Sequence, residues 1–143
     1  MSPTMIRIAA ILAFAGALAV VTRAQTAVDW HAQQPKILKH FQALVRLDTS
    51  NPPGNERKAV EYLKSVFDVE GIASTVFALD PNRPNLVARL KGNGSKRPLL
   101  MLAHTDVVPV QRDKWPVDPF GAVVKDGYIW GRGTTDDTRS CGR

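Results

Sequence analysis

Leu99-Leu100-Met101-Leu102-Ala103-His104-Thr105-Asp106 is the stretch whose reading decides the fold. Five apolar residues in a row, with no polar residue alternating between them, predict a strand buried on both faces over residues 99–103. Two polar side chains, His104 and Asp106, follow at once. In open α/β sheets, sites form beyond the carboxyl ends of strands. An imidazole there can hold a metal, and a carboxylate two residues on can accept a hydrogen bond from its other ring nitrogen and so set the tautomer. The His-x-Asp spacing in isolation describes a polar loop after a strand equally well.

Upstream, Ile37, Leu38, Phe41, Leu44 and Val45 recur at the spacing of a helix packed on one side, which predicts a helix over residues 35–46. Asp48-Thr49-Ser50-Asn51-Pro52-Pro53-Gly54 is turn-forming, and its two prolines cannot continue a helix. Ala59, Val60, Leu63, Val66 and Phe67 repeat the helical stripe, with Gly71 where a terminator belongs, so a second helix is expected over residues 56–70. Beyond Gly71 the texture changes to short strands at residues 75–78 and 86–90, broken by Asp80-Pro81-Asn82 and Gly92-Asn93-Gly94. Residues 122–125 and 128–130 flank Asp126-Gly127, a strong hairpin signal. Helices followed by strands indicate an α/β layered domain, and there is no internal repeat.

A second polar cluster, Gly131-Arg132-Gly133-Thr134-Thr135-Asp136-Asp137, follows the hairpin. Its glycines would let the backbone turn tightly and aim carboxylates inward, although a surface Gly/Asp turn reads the same way. His31 and His40 lie in or beside the first helix and read as ordinary surface or core histidines. Trp115 either lines a cleft or covers core. Cys141 is the single cysteine, so disulfide scaffolding within the chain is excluded, and nothing around it marks a nucleophile.

The chain has 143 residues, 44% apolar and 22% charged, which fits a packed domain rather than a disordered or collagen-like chain. Residues 8–21 form an apolar run preceded by Arg7 and followed by Thr22-Arg23-Ala24, the layout of a secretory signal; the run is short for a membrane anchor. Cleavage after Ala24 is expected, which makes residues 1–24 a signal peptide, residues 25–143 the mature chain, and the protein periplasmic or secreted with no stable membrane anchor. Setting aside Arg7 and Arg23 leaves 17 basic against 13 acidic side chains, a charge of +4. The rest, among them Lys36, Lys58, Lys64, Lys91, Lys96 and Arg97, are scattered without interleaved aromatics, so no nucleic-acid partner is expected.

Taken in order, the Leu-Met-Leu-Ala-His-Thr-Asp-Val-Val run, Trp115, Asp118-Pro119-Phe120 and the series from Asp126-Gly127 to Asp136-Asp137 are similar to the M20 family of zinc peptidases and deacylases. This family includes aminoacylases, succinyl-diaminopimelate desuccinylases, acetylornithine deacetylases, carboxypeptidases and dipeptidases. The likeness reaches back through Asn85-Leu86-Val87-Ala88 to the Asp48–Gly54 loop. It implies a three-layer-type catalytic domain with a mixed sheet, of which residues 25–143 would be the N-terminal part. It further implies that His104 ligates one zinc, that the catalytic carboxylate Asp106 orients it, and that Asp136 bridges two Zn2+ ions with a cis peptide before Asp137. The expected substrate is a peptide or N-acyl amino acid, and the expected full-length form is a possible homodimer. The family's general base and remaining ligands have no counterpart here, and the pattern departs at Thr138-Arg139-Ser140-Cys141-Gly142-Arg143. The expectation is therefore a truncated metallohydrolase, inactive alone. The alternative is a short non-catalytic periplasmic binding or regulatory protein derived from the same fold.

Overall fold

The computed structural model describes residues 27–135. By its contacts the chain divides into two units, Met1–Ala32 and Gln33–Arg143. Of the first unit, residues 27–32 are described. There Asp29 Oδ1 accepts the backbone N–H of Ala32 at 3.1 Å and caps the start of helix α1, Trp30–Val45. This cap moves the helix start upstream of the residue-35 start expected from the apolar stripe, and Pro35 sits inside the helix. Only the C-terminal half of the stripe is covered: Val45 is buried and Phe41 and Leu44 are half-buried, while Ile37 and Leu38 stay exposed.

Helix α2, Arg57–Val69, ends as expected at Gly71. Gly71 has φ +69°, its N–H bonds the Asp68 carbonyl at 3.2 Å, and the Ile72 N–H bonds the Phe67 carbonyl at 2.8 Å. This is a Schellman motif, in which a left-handed residue satisfies carbonyls the helix would otherwise leave open. At the other end Glu56 does not cap with its side chain. The Arg57 N–H is taken instead by the Asn82 carbonyl at 3.0 Å, which leaves the Glu56 carboxylate to pair elsewhere.

Strands β1, Ser74–Phe77, and β2, Asn85–Ala88, pair antiparallel with Ser74 opposite Ala88 and Phe77 opposite Asn85, and α2 packs against both. A short 3-10 turn at Arg112–Lys114 precedes a second antiparallel pair, β3 (Val123–Lys125) and β4 (Tyr128–Trp130). Asp126 and Gly127 have φ of +54° and +78°, the paired positive values of a tight hairpin turn, as the Asp-Gly dipeptide predicts. The chain is thus helices followed by small antiparallel sheets, a partial α/β arrangement. No described helix is long and apolar enough to cross a membrane.

Residues 99–103 correct one expectation. They are not a central strand: they join no ladder, and Leu99, Leu100, Met101 and Leu102 are 67–84% exposed. A central strand needs a hydrogen-bonding neighbour on each side, and among the described residues β1 pairs only with β2 and β3 only with β4. The buried apolar side chains, Val45, Ala59, Val60, Phe120 and Ala122, lie elsewhere, on the two helices and on the turn before β3.

Candidate active site

His104 and Asp106 are positioned by the loop that follows α1. Ser50 and Val107 form an isolated parallel bridge, in which the Asn51 N–H donates to the Val107 carbonyl at 2.8 Å and the Val107 N–H to the Thr49 carbonyl at 3.3 Å. The Thr49 hydroxyl, buried at 3% exposure, donates to the Thr105 carbonyl at 2.6 Å. The two segments are thereby stitched together on either side of Asp106. Thr49→Val keeps the shape but leaves the Thr105 carbonyl without this donor, and should cost about 1–2 kcal/mol. A urea titration checks this; a midpoint equal to that of the parent would show that the bond carries no weight.

Within the loop, His104 Nδ1 lies 3.0 Å from Asp106 Oδ1 and 3.0 Å from the Asp106 backbone carbonyl. A carboxylate and a carbonyl oxygen can only accept, so Nδ1 is the nitrogen that carries hydrogen. In the neutral ring the lone pair is then on Nε2. The second carboxylate oxygen, Asp106 Oδ2, accepts from Asn51 Nδ2 at 3.0 Å and lies 3.6 Å from a terminal nitrogen of Arg83. The Asn51 hydrogen bond, aided by His104, holds the Asp106 carboxyl below the usual aspartate range against the opposing effect of burial, so it remains an acceptor at neutral pH.

A hollow of about 360 Å³ lies beside this pair, walled by Phe41, Leu44, Val45 and Leu63 and bordered by His104 and Arg132. The hairpin brings Arg132 and Gly133 of the second cluster to the same place. Gly133, at φ +84°, passes so close that an added Cβ would meet Val107 Cγ1 at 2.9 Å. The Arg132 N–H donates to the Pro119 carbonyl at 2.7 Å, and its guanidinium lies over the Trp115 ring at 5.3 Å. Trp115 therefore covers Arg132 and does not line the hollow.

Asp136 and Asp137 lie outside the described residues, as do Cys141 and residues 1–24. Of the expected pair of ligands the structure places His104. His31 is exposed, and His40 pairs with the Tyr62 hydroxyl at 2.7 Å, so neither joins the cluster. Among the described residues no three His, Cys, Asp or Glu side chains gather in a metal-sized group. The fit to a metal is therefore that of one histidine: a ring whose Nδ1–H is held by a carboxylate is the form in which Nε2 ligates.

Sequence reasoning missed Asn51 and Arg83 as site residues. Asn51 was legible only as part of a turn, and Arg83 only as a neighbour of a strand break. No local spacing signals a contact across 55 residues.

Residues 100–141 match the family model described as Peptidase family M20/M25/M40. A probable succinyl-diaminopimelate desuccinylase of Staphylococcus aureus is 42% identical over 95 residues, covering 65% of this chain and 22% of that protein. A succinyl-diaminopimelate desuccinylase of Cereibacter sphaeroides is 39% identical over 95 residues, covering 65% and 24%. The N-formyl-4-amino-5-aminomethyl-2-methylpyrimidine deformylase of Halalkalibacterium halodurans is 34% identical over 123 residues, covering 83% and 28%. The chain spans about a quarter of the length of these curated relatives. The matched stretch contains His104, Asp106 and both polar clusters in order, so over residues 100–141 the chain is similar to the M20 peptidase family.

Proposed function

We propose that the whole protein is a zinc-dependent hydrolase of amide bonds, acting on an N-acyl or peptide substrate, and that the 143 residues alone do not turn over. The observation that carries this reading is the His104–Asp106 pair, whose Nδ1–H is fixed by two acceptors so that the neutral ring offers Nε2. The desuccinylase and deformylase relatives, both named for removing an acyl group, support the bond class. In this reading His104 and Asp136 hold metal and Asp106 orients His104. Bound zinc would supply carbonyl polarisation and an activated water near neutral pH. The chain's own residues do the rest that is visible: Asp106 keeps the imidazole in one tautomer, and the apolar wall of Phe41, Leu44 and Leu63 limits water on one side of it. A zinc site normally needs three or more protein ligands, which is why the 143 residues alone should bind zinc weakly and not turn over. Residues 1–24 would serve as the export signal, with the protein working in the periplasm or outside the cell.

Zinc titrated into the purified chain should shift the His104 ring resonances, and His104→Gln should abolish that response while His40 is unaffected. Release of succinate or formate from N-succinyl and N-formyl amines should stay at the zinc-only background. Zinc that leaves the His104 resonances unmoved would sink the metal reading, and turnover by the chain would sink the claim that it is inactive alone.

A further inference from the structure

We propose that Asn51, seconded by Arg83, is a positioning residue that clamps Asp106 and through it fixes the tautomer in which His104 faces its ligand. The proposal rests on the reading of His104 as a metal ligand, and it adds residues from two further segments of the chain to that machinery. The two oxygens of Asp106 have different work. Oδ1 faces His104 Nδ1, while Oδ2 is held by Asn51 at 3.0 Å with Arg83 at 3.6 Å. The terminal torsion of an aspartate is broad and two-fold, so a carboxylate held on one side only can swing its oxygens and loosen its hold on the ring. Gripping Oδ2 removes that freedom.

The two clamps are not equal. Asn51 makes a hydrogen bond to an ionised acceptor in a half-buried place, and its own backbone is tied to Val107 by the 2.8 Å bond across the parallel bridge. Arg83 is 42% exposed and beyond hydrogen-bond reach of Asp106, so its pull is weakened by water. Its position is nevertheless determined. Arg83 Nε and a terminal nitrogen both meet Glu56 Oε1, at 2.9 and 2.8 Å, and Glu56 is buried at the start of α2. Gly54 makes room for this contact: with φ +87°, it has no Cβ where one would press Arg83 Nε and Glu56 Oε2, both at 2.9 Å. Two segments, the loop after α1 and the β1–β2 connection, thus converge on the Asp106 carboxylate, and the start of α2 holds the second of them through Glu56.

The test is a long-range 1H–15N correlation of the histidine rings in the full 143-residue chain, metal-free, at a mildly alkaline pH where imidazoles are neutral. His104 is assigned by its loss in His104→Gln. The parent should show His104 with hydrogen on Nδ1. Asn51→Ala should lower the ratio of Nδ1–H to Nε2–H forms by roughly tenfold, the worth of one hydrogen bond to a charged group. Asn51→Asp, which keeps the volume and removes the donor, should do the same. Arg83→Lys retains a cation for the buried Glu56, where alanine would orphan that carboxylate, and should lower the ratio only a few-fold. The His40 resonances, held by Tyr62, report in each variant that the helices remain packed. A His104 ring that keeps Nδ1–H in both Asn51 variants with the His40 signals intact, or a parent ring found as Nε2–H, overturns the proposal. A parent with the expected tautomer whose His104 ignores zinc defeats the metal reading and leaves the clamp standing.

Discussion

Gly131→Ala is expected to destabilise the chain by about 1–3 kcal/mol, the usual cost of forcing extra volume into a packed site. Gly131 is buried, and its backbone runs so close to α1 that an added Cβ would overlap Val45 Cγ1, with the Pro119 carbonyl and Thr134 Cγ2 close on its other sides at 3.4 Å. The backbone has little freedom to retreat. The next residue's N–H is bonded to the Pro119 carbonyl at 2.7 Å, and the Gly131 carbonyl accepts the Thr134 hydroxyl at 3.0 Å. If overlap with one methyl group is the cause, removing that methyl should relieve it. Val45→Ala alone opens a small cavity and costs stability, but Gly131→Ala introduced into that background should cost much less than in the parent. Urea denaturation of the four chains of this cycle measures the coupling. Equal costs in the two backgrounds would contradict the steric account and point to backbone conformation at Gly131.

The second large effect concerns association. Leu99, Leu100, Met101 and Leu102 expose most of their surface, and none of the backbone hydrogen bonds among the described residues uses residues 99–103. An unpaired, apolar and uncharged run is a template for pairing with another chain. At micromolar concentration the purified chain should therefore form dimers and larger species. Leu100→Lys combined with Leu102→Lys places charge on one face of the run and should shift the chain to monomer, as natural edge strands do with lysine. Sedimentation velocity of both chains decides the matter. A parent that sediments as a monomer throughout would show that the run is covered by something other than a second copy.

Several elements were legible because their causes are local. The Asp126-Gly127 hairpin requires two residues at positive φ, and an Asp-Gly pair is among the few that accept this. The stop at Gly71 needs one left-handed residue after a helical stripe, and the α2 stripe itself needs only its spacing. The start of α1 was misjudged because the stripe marks where a helix packs, whereas Asp29 marks where its N–H groups are satisfied. The His104–Asp106 pair was legible for the same reason as the hairpin, since two residues are enough to place a ring beside a carboxylate.

Residues 99–103 mark the limit of that legibility. Their composition is that of a buried strand, but a strand is one half of a ladder, and burial depends on neighbours that the run itself does not encode. The hold on Asp106 is of the same kind. By itself the amino-acid sequence carried the family resemblance, the polar pair and the punctuation of the helices and hairpin, each of which follows from residue types a few positions apart. Only the tertiary structure decided that Asn51 and Arg83 meet at Asp106, with Arg83 held in turn by the buried Glu56, because contacts between segments far apart in the chain arise from how the loops are folded together.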